Sequence, residues 1–177
     1  MLKTRNSLDL KTRQKVTELL QDRLSDAIDL QTQMKQAHWN IKGPHFIGLH
    51  KLFDEIDEAV LEYVDEIAER AVQLGAIVHG TARAVAKNSS LKEYPLNIIA
   101  DMDHVHAVAD TLALFGKHVR EAIDTADKLG DKDTADLFTE VSRGIDKWLW
   151  FVEAHTPTRE QTGGNGKASR SKTVLSI

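Results

Sequence analysis

The chain of 177 residues contains no cysteine, which excludes disulfides, thiolate zinc sites and cysteine nucleophiles. Only three prolines interrupt it, and long stretches lack glycine, so little in the sequence stops a helix once begun. Aromatic residues are scarce, at 6%. No apolar run approaches the roughly 20 residues that a transmembrane helix needs. The polar, charged first residues hold no apolar segment that reads as a secretory signal. Together with the missing thiols, this leads us to expect a cytoplasmic protein. Apolar residues make up 41% and charged residues 28%, the balance of an ordinary globular domain with one full core.

Charge is unevenly placed. The net charge is −4, yet both ends are basic. Residues 1–15 carry Lys3, Arg5, Lys11, Arg13 and Lys15 against Asp9, and residues 156–177 carry Arg159, Lys167, Arg170 and Lys172 against Glu160. An acidic body with basic ends suggests cations as partners for the body and a polyanion for the ends.

Four stretches have helical periodicity. The first, 9–36, places Val16, Leu20, Leu24, Ala27 and Ile28 on one face. The second, 45–74, does so with Leu49, Phe53, Ile56, Val60, Ile67, Ala71 and Leu74, and Gly75 follows as a C-cap. The third, 96–126, uses Ile99, Met102, Val105, Ala109, Leu112, Val119 and Ile123. The fourth, 133–154, uses Leu137, Val141, Ile145, Trp148, Leu149 and Val152. Gly43-Pro44 and Gly130-Asp131 make tight joints, while residues 75–95 form a long crossover with room for a short helix at 81–87. Two hairpins joined by one long crossover predict an all-α, ferritin-like four-helix bundle. The expected organisation is a basic extension at 1–10, the bundle at 11–155 and a disordered basic tail at 156–177, where Gly163-Gly164-Asn165-Gly166 breaks any periodicity.

The second helix is strongly acidic, with Asp54, Glu55, Asp57, Glu58, Glu62, Asp65, Glu66 and Glu69 against Lys51 and Arg70. On composition alone this is a solvated face. Spacing offers a second reading. His50 and Asp54 are i,i+4, as are Asp65 and Glu69, so each pair shares a face and can share a cation. Imidazole with carboxylate suits iron or zinc better than magnesium or calcium. Asp54 and Asp65 lie roughly 16 Å apart along one helix, so the pairs cannot serve one ion within one chain. Both pairs are, however, centred between Ala59 and Val60. Two copies crossing antiparallel on a two-fold axis there would set His50 against Glu69 and Asp54 against Asp65, making two identical sites. His38, across the Gly43-Pro44 turn from His50, is placed for a second imidazole or for a capping role at the turn. The Glu-x-x-His motif of di-iron sites inside a single bundle is absent, which again favours a site between subunits.

These residues carry a resemblance. Lys35-Gln36-Ala37-His38-Trp39-Asn40-Ile41-Lys42-Gly43, then Phe46, Leu49-His50 and Asp54, then Asp65, Ala68-Glu69-Arg70-Ala71 and Leu74-Gly75, resemble the signature of the Dps family (DNA-binding protein from starved cells). Leu91 to Leu96, Asp133-Thr134-Ala135-Asp136, Ser142-Arg143 and Trp148-Leu149-Trp150-Phe151 extend the likeness over most of residues 11–155.

The resemblance implies a hollow homo-dodecamer with a ferroxidase centre at each dimer two-fold. His38, His50 and Asp54 would come from one subunit and Asp65 and Glu69 from its mate. Its substrates would be Fe(II) and hydrogen peroxide, with ferric mineral stored inside and zinc a possible substitute metal. Trp39, whose plain reading is a core aromatic, would donate an electron beside the site. Asp133 and Asp136, otherwise good chemistry for a helix N-terminus, would line a three-fold pore. Glu55, Glu58 and Glu62 would nucleate mineral or simply face solvent. The basic ends (Lys3, Arg5, Lys11, Arg13, Lys15, Lys167, Arg170, Lys172) would bind DNA without sequence preference, placing the protein at the nucleoid. The competing readings are a nucleoid-packing protein with an incidental metal site, and a larger ferritin shell, which the missing Glu-x-x-His disfavours.

Overall fold

The computed structural model describes residues 1–156. Lys167, Arg170 and Lys172 lie outside the described residues. Five helices follow one another: α1 (Leu10–Asn40), α2 (Phe46–Gln73), α3 (Ala82–Asn88), α4 (Asp101–Lys128) and α5 (Lys132–Glu153). The fold is the expected ferritin-like bundle, with α3 the short helix in the crossover.

Local chemistry sets the ends of the long helices. Asp9 caps α1, its carboxylate accepting from the Thr12 amide at 3.0 Å, and Asp131 caps α5 through the Thr134 amide at 3.2 Å. Such caps contribute about 1 kcal/mol each. α2 ends at Gly75, whose φ of 94° is open to glycine and costly for other residues. A β-carbon there would also lie 2.7 Å from the Leu2 carbonyl. Gly75 therefore lets residues 1–9 lie against the end of α2, where the Leu2 amide donates to the Gly75 carbonyl.

Packing follows the two hairpins. α1 lies on α2 and α4 on α5, and contacts of α1 with α4 and of α2 with α5 close the bundle. Phe53, Phe115 and Phe138 are fully buried at its centre with Leu20, Leu30 and Ile56. Each large side chain contributes about 1.5–3 kcal/mol on burial. α3 is held to α1 by polar anchors on its C-terminal side. Ser89 donates to Asp29 at 2.5 Å, and the Ser90 amide donates to the buried Asp26 at 2.7 Å.

Two boundaries differ from the periodicity. α1 runs on to Asn40, which brings His38 into its last turn. The third long helix begins at Asp101 rather than near 96. The Lys42 amide donates to the Ile99 carbonyl and the Asp101 amide to the Lys42 carbonyl, both at 2.9 Å. That bridge holds the chain extended up to Ala100, and Leu96 and Ile99 are left exposed rather than on a buried helix face. Gly43 makes the crossing possible, because a β-carbon on it would lie 2.4 Å from the Asp101 carboxyl carbon.

Candidate metal centre

The end of α1 and the start of α2 are stitched together by two histidines. His38 and His50 stack with ring centroids 3.7 Å apart and planes inclined by 20°. His38 Nδ1 lies 2.7 Å from the His50 carbonyl, and His50 Nδ1 lies 2.9 Å from the His38 carbonyl. A carbonyl only accepts, so each Nδ1 carries the proton and donates it. In the neutral ring this selects the tautomer with its lone pair on Nε2, the form in which imidazole binds a metal. Asp54, one turn beyond His50, has a carboxylate oxygen 3.8 Å from His38 Nδ1. The three side chains foreseen at this end of α2 are therefore adjacent.

Three further residues belong to the same corner. Lys35 contacts the Asp54 carboxylate directly and reaches Asp57 at 3.1 Å. Gln31 donates to Asp57 at 2.5 Å. The Lys35 ammonium holds the Asp54 carboxyl below the ordinary carboxylate range, and the pairing pushes Lys35 up in turn. Asp57 is buried, so the acidic face of α2 is not uniformly solvated. Lys35 precedes His38 by three residues, and Asp57 follows Asp54 by three. That i,i+3 spacing was the available signal for both.

Asp65 and Glu69 lie exposed toward the other end of α2. His50 and Glu69 are nineteen residues apart, about 28 Å along a helix. Among the described residues of one chain, no group of three or more histidines and carboxylates converges on a metal position. Negative potential accumulates around Asp65. Burial raises the neighbouring Glu66 carboxyl, and the charges of Glu140, Glu62 and Asp65 raise it further. Such crowding of carboxylates favours an incoming cation.

The other predicted positions are dispersed. Trp39 is 69% exposed. The core-aromatic reading is overturned, because the buried positions at the end of α1 are taken by Ala37 and Ile41 and Trp39 lies on the outer side. Glu55, Glu58 and Glu62 form one exposed stripe on α2. Asp133 and Asp136 are exposed one turn apart at the start of α5. Lys3, Arg5, Lys11 and Lys15 are exposed. Arg13 is engaged instead, donating to the Leu8 carbonyl at 3.2 Å and the Leu74 carbonyl at 3.1 Å. It fastens the N-terminal segment to α2 and is not a free phosphate contact. No helix among the described residues is long and apolar enough to cross a membrane.

Comparison with known proteins agrees with this architecture. Residues 17–160 match the family model described as a ferritin-like domain, so the chain is a ferritin-like protein. It is 43% identical over 153 residues to a DNA protection during starvation protein of Agrobacterium fabrum, covering 86% of this chain and 94% of that one. A Mycobacterium smegmatis Dps structure superposes with a TM-score of 0.84 at 33% identity, over 93% of this chain and 98% of that one. A Dps structure from Vibrio cholerae, described as a member of a broad superfamily of ferritin-like diiron-carboxylate proteins, gives a TM-score of 0.80 at 26% identity, over 87% and 96% of the two chains. The chain belongs to the Dps family.

Proposed function

We propose that two copies of this chain cross on α2 and build two ferroxidase centres. Each would have His38, His50 and Asp54 from one subunit and Asp65 and Glu69 from the other. The observation that carries this reading is the stacked histidine pair, held by its Nδ1 atoms with Asp54 next to it, where no further ligand among the described residues of the same chain completes a shell. The diiron-carboxylate description of the Vibrio cholerae relative supports iron as the metal. Iron is substrate here, and zinc fits the same donor set.

Two ferrous ions and one hydrogen peroxide give two ferric ions and two hydroxides. Taking both electrons at one site leaves no one-electron reduction that would release hydroxyl radical. The histidines and carboxylates hold the ions, and Trp39, exposed beside His38, supplies an electron when only one ion is bound. In the dodecameric shell we propose, Asp133 and Asp136 draw cations in through a three-fold pore, and Glu55, Glu58 and Glu62 nucleate the ferric mineral.

Anaerobic Fe(II) loading followed by peroxide tests the centre. The unaltered protein should oxidise iron far faster than a His38→Ala, Asp65→Ala double variant, and equal rates would exclude the reading. Lys35 gives a second check, since its ammonium must leave Asp54 before a cation binds. Lys35→Met is expected to tighten Zn(II) binding roughly tenfold at neutral pH, read by calorimetry. Unchanged or weaker binding would show that Lys35 does not compete for the site.

The names of the relatives support protection of DNA. We propose salt-sensitive, sequence-independent binding at the nucleoid through Lys3, Arg5, Lys11 and Lys15 and through Lys167, Arg170 and Lys172. Repetition around a shell multiplies weak contacts. Deleting residues 1–15 would remove the Asp9 cap and the Arg13 clasp, so substitution is the sound test. Glutamine at the four N-terminal positions, or at the three C-terminal ones, should shift gel retardation to lower salt. The set with the larger shift identifies the arm that matters. If both sets together leave retardation unchanged, the DNA claim fails. If DNA is bound while iron oxidation matches the double variant, the protein packs DNA and its metal site is incidental.

A further inference from the structure

Tyr94 and His104 form a buried pair that the iron chemistry leaves unused. Tyr94 lies in the segment between α3 and α4, and His104 in the first turn of α4. They are 5% and 1% exposed. The phenol oxygen lies 2.7 Å from His104 Nδ1, with the rings inclined by 20°. Among the described residues, His104 Nε2 is buried without a hydrogen-bond partner.

Burial pushes the Tyr94 phenol up, so it keeps its proton. Burial also pushes the His104 imidazole down, so the ring is neutral. A neutral phenol must give its hydrogen to something. The ring nitrogen at 2.7 Å accepts it, which leaves the ring's own proton on Nε2. Tyr94 also lines a cavity of about 670 Å³ that Trp39 lines as well. The exposed indole next to His38 and the buried phenol thus face a common space.

We propose that Tyr94 and His104 act together as a proton-coupled electron donor that restores Trp39 after it has been oxidised. A one-electron oxidant such as hydroxyl radical takes an electron from the Trp39 indole and leaves a radical cation. An electron then passes from Tyr94 to Trp39. The Tyr94 O–H bond breaks, and its proton moves to His104 Nδ1. The products are neutral indole, a neutral phenoxyl radical and an imidazolium, so the single positive charge moves from Trp39 to His104. Burial opposes the charged ring, while the Asp103 charge and the Ile98 backbone favour it. The oxidising equivalent ends inside the protein, away from solvent and from any bound nucleic acid. The proposal deepens the role given above to Trp39, but its test needs no iron.

The sequence makes the test tractable, because the chain has only two tyrosines and three tryptophans. In the full chain freed of metal and carrying Trp148→Phe and Trp150→Phe, azidyl radicals from pulse radiolysis oxidise Trp39 selectively. The indolyl absorbance should decay as phenoxyl absorbance grows, more slowly in D2O. Tyr94→Phe should abolish the phenoxyl signal, and Tyr63→Phe should leave it intact. His104→Gln should slow the transfer about 10²-fold, the size of general-base assistance. The proposal is overturned if Tyr63→Phe rather than Tyr94→Phe removes the phenoxyl, or if the rate is the same in D2O. Neither result depends on whether the buried His104 variant folds. A hydrogen bond that merely anchored the 89–100 segment would move none of these optical signals.

Discussion

Mixing two inactive variants is expected to restore iron oxidation. His38→Ala removes an imidazole from the α1 side of the proposed centre, and Asp65→Ala removes a carboxylate from the α2 side contributed by the mate. Either alone should lose nearly all rapid ferroxidation, because each centre in an isologous dimer then lacks a ligand. When the two are unfolded together and reassembled, half of the dimers are mixed. One centre of a mixed dimer carries both lesions, and the other carries neither. About one quarter of the centres in the mixture should therefore be intact, and the fast phase after peroxide addition should recover to that fraction. The same proteins assembled separately and then combined should stay inactive. If co-assembly restores nothing while both variants fold and pair, all ligands belong to one chain and the inter-subunit centre is wrong. This experiment reports on the two-fold arrangement itself, which a loss-of-function variant alone cannot do.

The proposed arrangement starts from a geometric reading of the sequence. Helix spacing is rigid, so the positions of His50, Asp54, Asp65 and Glu69 on one helix already carry distances. Two pairs centred on one point suit a two-fold, and the resemblance to the family supplies the sharing of ligands between subunits. The long helices were legible because their apolar residues keep the helical period over many turns. The start of α4 was not, because Leu96 and Ile99 continue the period of Met102 and Val105. What prevents the helix there is a tertiary bridge from Lys42, and nothing local announces it. Trp39 misleads in a similar way. Its apolar character suggests burial, but at the end of α1 the buried positions go to Ala37 and Ile41, and Trp39 is left on the outer side. The corner around Asp54 was half legible. Ligand types and spacing marked the histidines and Asp54. Lys35 and Asp57 carried only their i,i+3 spacing from His38 and Asp54 as a signal, and their contact across α1 and α2 is not revealed by composition.

The largest stability effect is expected at Arg70, on the far end of α2 from the histidines. Its guanidinium grips the buried Asp131 carboxylate at 2.7 and 2.9 Å and donates to the Thr134 hydroxyl at 3.0 Å. Asp131 is 2% exposed and caps α5, so one cluster ties α2 to the first turn of α5. Burial pushes the Asp131 carboxyl up. The Thr134 hydroxyl, Arg70 and the Thr134 amide together outweigh it and hold the group below the ordinary carboxylate range. A depressed folded value means that the ionised form contributes stability that is fully present above the unfolded value, near pH 4. That stability is lost as pH falls through the folded value. Arg70→Met keeps most of the volume but leaves a buried carboxylate with only Thr134. The expected cost is about 3–5 kcal/mol at neutral pH, read by urea denaturation. The acid unfolding midpoint should also move to higher pH, because Asp131 then protonates more readily. Asp131→Asn should cost less, since asparagine still caps the helix and Arg70 retains partial access to water. A loss below about 1 kcal/mol for Arg70→Met would mean that the pair contributes no more than a surface ion pair. The same variant bears on the proposed pore. Asp133 and Asp136 stand on the turn that Arg70 secures, and Asp133 lies 3.8 Å from its guanidinium. Under mild conditions where Arg70→Met stays folded, iron entry should slow while the histidine corner keeps its zinc affinity.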